Sequence, residues 1–139
     1  MKKIALVFAV LLLMSPTVLK SQTSDYKVVF DLTNKDTDDH KMVIKWLKEV
    51  INADKNAQME VVLYGKSLDM IVKDRSTVAS DITQLSKNPN VSFKVCAIAM
   101  KNNNIQKEQL VEGVQTVPDG IYEVISKQKQ GWGYIKVTH

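Results

Sequence analysis

Few side chains in this sequence have the chemistry of a nucleophile, a base or a metal ligand. Cys96 is the one cysteine, and the two histidines are His40 and His139. A structural zinc site takes about four ligands, and nothing in the spacing brings these three residues together. The segment Asp36-Thr-Asp-Asp39 resembles the start of a calcium loop, but the twelfth position is Leu47, which cannot ligate. Aspartate strongly favours helix N-caps, so the segment reads as the start of a helix and His40 as a first-turn surface side chain. Gly131-Trp-Gly133 lacks a third glycine and precedes a strand, so it is no dinucleotide fingerprint. A P-loop and a G-x-S-x-G elbow are both missing from the sequence. No metal or cofactor is expected, and Cys96 is left as the candidate for covalent chemistry.

What Cys96 can do depends on its surroundings. The thiolate is the reactive form; positive charge and helix N-terminal N–H groups favour it, and apolar burial opposes it. Cys96 falls late in an expected strand over residues 91–98, whose last four residues are apolar, and open α/β sheets bind ligands just beyond the carboxyl ends of their strands. A helix near Gln106 could aim its N–H groups at this region, and Lys101 could add positive charge. On the other side, free cysteine is among the most often buried residues, and Met100 and the other neighbours are apolar. Both a reactive thiol and a core side chain fit these residues.

The elements that position Cys96 follow from periodicity. Residues 27–32, 59–64, 91–98, 114–117 and 132–137 are short apolar runs that read as strands. Between the first two, Met42, Val43, Trp46, Leu47, Val50 and Ile51 recur at three- and four-residue spacing, which makes one helical face with Trp46 as a core anchor. A short helix is expected over 67–72. A longer one carries Val78, Ile82 and Leu85 and is closed by the turn Asn88-Pro-Asn90, and another short one spans 106–111. Pro118 suits the first turn of a final helix that bears Ile121, Tyr122, Val124 and Ile125 and stops at Gly131. The end of the third run is apolar without alternation, as in a strand covered on both faces. Strands alternating with helices predict a three-layer α/β sandwich, with a mainly parallel sheet of about five strands and helices on both faces.

The N-terminus reads differently. Lys2 and Lys3 precede an eleven-residue apolar run over 4–14, broken by Ser15-Pro-Thr17. This is the order of a secretory signal, and the run is short against the roughly 20 residues a membrane span needs. Cleavage is expected between Ser21 and Gln22. That divides the chain into a signal peptide, 1–21, and a single domain, 22–139, exported to the periplasm or beyond the cell. Taking Lys2, Lys3 and Lys20 from the 19 basic residues leaves 16 against 15 acidic ones. A near-neutral domain without a basic stripe gives no reason to expect nucleic acid, or a membrane surface once the signal is removed. Exported proteins meet oxidising conditions, and a single cysteine cannot form an internal disulfide. Cys96 is then buried and inert, paired with another molecule, or kept for its chemistry.

One ordered set of short motifs adds to this reading. Val61-Val-Leu-Tyr-Gly65, Val95-Cys96, Val117-Pro-Asp-Gly-Ile121 and Gln128-Lys-Gln-Gly-Trp-Gly-Tyr-Ile135 occur in that order. Together they resemble the DsrE/DsrF-like proteins over nearly all of the domain. The resemblance implies a flavodoxin-like fold, often assembled as trimers or hexamers. It also implies a sulfur relay, in which a cysteine persulfide takes sulfane sulfur from a donor and yields it to an acceptor thiol. Cys96 matches the strand-end cysteine of many members and becomes the candidate sulfur-accepting residue. Many relatives have asparagine two residues later, where this chain has Ile98. A sulfur carrier of this kind is one expectation. The other is a non-catalytic oligomeric binding module of the same fold with Cys96 in its core.

Overall fold

Five short apolar segments pair side by side, and the direction of each link between them decides what covers the sheet. The computed structural model describes residues 25–139, so the expected signal peptide and its cleavage site lie outside the described residues. The strands are β1 (Lys27–Leu32), β2 (Gln58–Leu63), β3 (Val91–Cys96), β4 (Val114–Val117) and β5 (Gly133–Lys136). The helices are α1 (Thr37–Ala53), α2 (Ala79–Leu85), α3 (Ala97–Asn102) and α4 (Gly120–Lys129), with 3-10 turns at Ser67–Met70 and Lys107–Gln109. The sheet order is β4-β3-β2-β1-β5, and all four pairings are parallel.

Parallel strands need crossovers, and these are right-handed in nearly all proteins. From β1 to β4 each new strand is added on the same side, so the first three connections lie on one face. The step from β4 to β5 runs back across the sheet and carries α4 over the opposite face. Burial follows that division. Phe30, Leu32, Val61, Leu63, Phe93 and Val95 point one way, in one cluster with Val43, Ile44 and Leu47 of α1 and Ile82 and Leu85 of α2. Val29 and Val62 point the other way, against Val124 of α4, with Trp132 beside them.

Several local expectations change. α1 is capped as anticipated, with the Asp36 carboxylate accepting from the Asp38 N–H at 2.8 Å. Its most buried side is Asp39, His40, Val43, Ile44 and Leu47. Met42, Trp46, Val50 and Ile51 are partly buried along its flank, where Trp46 stacks on Phe30 with ring centroids 6.2 Å apart. His40 is not a surface residue: it is 1% exposed, with Nε2 at 3.3 Å from the Asn34 carbonyl oxygen. The short helices expected at 67–72 and 106–111 are single 3-10 turns. The expected third strand to Ile98 stops at Cys96, and α3 begins at Ala97 with no turn between them. The unbroken apolar run therefore marks a strand passing directly into a helix. Pro118 lies before α4, whose N-cap is Asp119. Gly131, with φ of 84°, allows the chain to leave α4 through a bond from the Trp132 N–H to the Lys127 carbonyl at 3.1 Å.

Candidate functional site

The strand order creates a crevice beside Cys96. β3 and β4 are neighbours, with Cys96 in register with Val117. The chain leaves β3 through α3 on the densely covered face and leaves β4 through α4 on the other. Adjacent strands whose links part in this way open a cleft at their carboxyl ends, the usual ligand position in open α/β sheets. Cys96 is the last residue of β3. It is 6% exposed and lines a cavity of about 250 Å³.

The walls of this cavity come from four places. Tyr64 and Gly65 follow β2, Ile98 and Ala99 belong to α3, Asn102 and Asn103 close its end, and Asp119 and Ile121 begin α4. Ile98 and Ile121 are 52% and 57% exposed and form an apolar mouth. Gly120 makes the close approach possible. A Cβ there would stand 3.1 Å from both the Cys96 Cβ and the Tyr64 Cδ1, tighter than ordinary van der Waals contact. α4 thus starts directly over the thiol and the phenol ring. Among the described residues no side chain donates a hydrogen bond to the Cys96 sulfur.

Behind Tyr64 lies a polar array. Asp31 is 5% exposed, accepts from the Tyr134 hydroxyl at 2.6 Å and stands 3.3 Å from Lys136 Nζ. Lys136 also donates to Thr33 Oγ1 at 2.7 Å and lies 6.0 Å from the centre of the Tyr64 ring. Burial, and then the Asp31 carboxylate, push the Tyr64 phenol far above its ordinary value. The hydrogen bond to Asp31, and then burial, push Tyr134 up to about 12. Both phenols stay protonated at neutral pH, and that of Tyr134 donates to Asp31.

At the start of α4, Asp119 Oδ1 accepts from the N–H groups of Ile121 and Tyr122 at 2.8 and 3.1 Å. Two expected contributors to the site do not line the cavity: Lys101, which is exposed, and the turn after Gln106. Tyr64 and Asp119 take part instead. Both stood in motifs visible in the sequence, but only the sheet order brings those motifs to Cys96.

The two histidines stand away from Cys96, each beside one member of a hydrogen-bonded pair, Asn34 and Asp39. Asp39 is fully buried and accepts from Asn34, and its Oδ1 lies 2.8 Å from His139 Nδ1. His40 contacts the same Asn34 through its carbonyl oxygen. The hydrogen bond to Asp39, and then the charges of Asp39 and Asp36, raise His139 above its ordinary value. Among the described residues no group of three or more His, Cys, Asp or Glu could hold a metal ion.

A parallel five-stranded sheet between helices, with a thiol where two strands part, defines a flavodoxin-like α/β protein. The chain belongs to the DsrE/DsrF-like family, whose model matches residues 27–137. Among solved structures it is similar to a protein of unknown function, MTH1491 from Methanobacterium thermoautotrophicum. The two share 26% identity at a TM-score of 0.75, over 81% of this chain and 99% of that one. The ychN protein from E. coli shares the fold, with 11% identity and a TM-score of 0.66 over 80% and 98% of the two chains. So does BT1422 from Bacteroides thetaiotaomicron, a conserved protein of unknown function, at 15% and 0.67 over 84% and 99%. No curated protein matches.

Proposed function

We propose that the protein is an exported DsrE-like carrier that holds sulfane sulfur as a persulfide on Cys96. The observation that carries this reading is the position of Cys96, at the end of β3 and in the wall of the switch-point cavity. The Cys96 thiolate attacks the outer sulfur of a donor persulfide. The donor S–S bond breaks, the donor thiolate leaves with the electron pair, and Cys96 keeps the sulfur as –S–SH. An acceptor thiolate then attacks that outer sulfur and returns Cys96 to the thiolate. Nucleophilicity in both steps follows thiolate fraction and access. Export rests on the charged start and short apolar run of residues 1–21.

A homo-oligomer, trimer or hexamer, belongs to the same proposal. Ile121, Tyr122 and Ile125 are 57%, 68% and 43% exposed on α4. An apolar strip of this kind on a short helix is the sort of surface that subunits cover. Light scattering at micromolar concentration should give a mass several times that of the chain, and a monomer would remove this part.

The test of the carrier reading is intact mass. Native protein incubated with a sulfane-sulfur donor should gain one sulfur, lose it to reductant, and do neither as Cys96→Ser. The burial of Cys96, at 6% exposure, supports the rival reading of a binding module with a core cysteine. That reading requires the thiol to react only after denaturant is added.

A further inference from the structure

We propose that the Cys96 cavity selects uncharged sulfur donors over anionic ones, because the helix end beside the thiol is already closed by its own carboxylate. This rests on the reading of Cys96 as a sulfur acceptor and names the class of donor.

A helix N-terminus next to a reactive thiol ordinarily attracts anions, through its free N–H groups and a partial positive charge of about half a unit. α4 begins against Cys96, with Gly120 in contact with it, but its N–H groups at Ile121 and Tyr122 are bound by Asp119. A full negative charge thus sits on the partial positive one, in the wall of the same cavity. The other walls offer no compensation. Tyr64, Ile98, Ala99 and Ile121 present mostly apolar surface, and Asn102 and Asn103 are neutral amides. Asn103 is already committed, donating to the Ala99 carbonyl at 2.8 Å. Among the described residues no cationic side chain lines the cavity. Lys136, 6.0 Å from the centre of the Tyr64 ring, does not line the cavity and is paired with Asp31.

An anion entering this space loses water and meets Asp119 without a partner. The two donor classes therefore differ. A protonated low-molecular hydropersulfide, R–S–SH, enters uncharged. Cys96 thiolate takes its outer sulfur, the S–S bond breaks, and RS⁻ leaves with the electron pair. Thiosulfate would enter as a dianion; attack on its sulfane sulfur breaks the S–S bond and expels sulfite with the pair, again as a dianion passing Asp119.

Two alkylating probes of similar size separate charge from access: neutral iodoacetamide and anionic iodoacetate. Each forms a C–S bond with the thiolate and releases iodide. On native protein the iodoacetamide-to-iodoacetate rate ratio should exceed that of free cysteine by roughly two- to fivefold, as expected for one nearby, partly solvated charge. Asp119→Asn keeps a capping oxygen, since asparagine caps as well as aspartate. It should raise the iodoacetate rate more than the iodoacetamide rate and bring the ratio close to that of free cysteine. On unmutated protein, 1 M salt, with a screening length of about 3 Å, should also lower the ratio, a measurement that needs no variant to fold. A native ratio equal to that of free cysteine, or one unmoved by both Asp119→Asn and salt, overturns the selectivity. Failure of both probes to label native protein overturns the selectivity and the carrier reading together. Labelling with the expected ratio, but no sulfur uptake from any donor, overturns the carrier reading and leaves the selectivity of the cavity standing.

Discussion

The two faces of the sheet are built on different principles. One is covered by α1, α2, α3 and their connecting turns over a large apolar cluster, and these elements also bury Asp39, His40 and Ser67. Among the described residues the other is crossed by α4 alone, and its buried apolar cluster is Val29, Val62 and Val124. That second face also buries charge. Glu60 is 1% exposed, accepts from the Ser92 hydroxyl at 3.0 Å and lies 3.0 Å from Lys127 Nζ. Lys127 is itself held 4.4 Å over the Trp132 ring and 3.9 Å from Glu123. Asp31 is buried further up the same face. The larger apolar cluster is thus on one side, and the buried carboxylates carried by the sheet itself, Asp31 and Glu60, are on the other. The thiol sits at the end of the sheet, where the chain changes from one face to the other.

The comparison is broken or sharpened most directly by removing side chains from each face. Phe93→Ala, fully buried on the dense face, should cost about 3–5 kcal/mol in urea unfolding, while Val124→Ala under α4 should cost about 1–2 kcal/mol. Equal losses would show that α4 carries as much of the core as the three other helices. Lys127→Ala should cost about 2–3 kcal/mol, because it leaves the buried Glu60 carboxylate without its cation. Adding Glu60→Gln to that variant should recover part of the loss; no recovery would mean that Lys127 acts through packing on Trp132. Trp46→Ala should cost about 2–3 kcal/mol, less than a fully buried aromatic since the ring is only partly covered. A midpoint within error of the unmutated protein would remove Trp46 from the core.

A smaller effect distinguishes the buried acids by sign. Burial, and then the neighbouring Glu60, raise Glu123 above the ordinary 4.5. The folded state then holds a proton that the unfolded state releases. The stability from this group is complete below about 4.5 and is lost as pH rises through the folded value. Glu123→Gln should flatten that fall. Asp39, at the start of α1, behaves in the opposite sense. Burial pushes it up, but the hydrogen bonds from His139 and Asn34 outweigh burial and hold it below the ordinary 3.8. Its contribution is present above that value and is lost as pH falls through the folded one. Asp39→Asn should therefore weaken the fold mainly at neutral pH. Urea midpoints across pH 3 to 8 read both signs, and a Glu123→Gln curve parallel to the unmutated one would remove Glu123 as the source of the fall.

The smallest change expected is Cys96→Ser, with a thermal midpoint within a few degrees of the parent. Serine is close in size, and the site opens on a cavity. A large drop would place the thiol in the core and count against the carrier.

Local signals in the sequence reached far, and they stop where strands must be ordered. Short apolar runs marked the five strands, and three-to-four-residue periodicity marked the long α1 and the helix after Pro118. Asp36 was legible as a cap because a carboxylate two residues before a free N–H acts within one turn. Cys96 was legible as a strand-end residue for the same reason: its run of neighbours is continuous. The passage from β3 into α3 was hidden, because an apolar run has no period that separates a buried strand from a helix. His40, Asp31 and Glu60 looked ordinary because their partners lie on other segments: Asn34 six residues earlier for His40, Tyr134 and Lys136 for Asp31, Ser92 and Lys127 for Glu60. Only the tertiary structure decided that β4 lies beside β3, that α4 returns over the open face, and that Gly120 and Asp119 come down upon Cys96. These contacts join residues far apart in the chain. They are settled by how the crossovers fold back and bury surface, which no local spacing records.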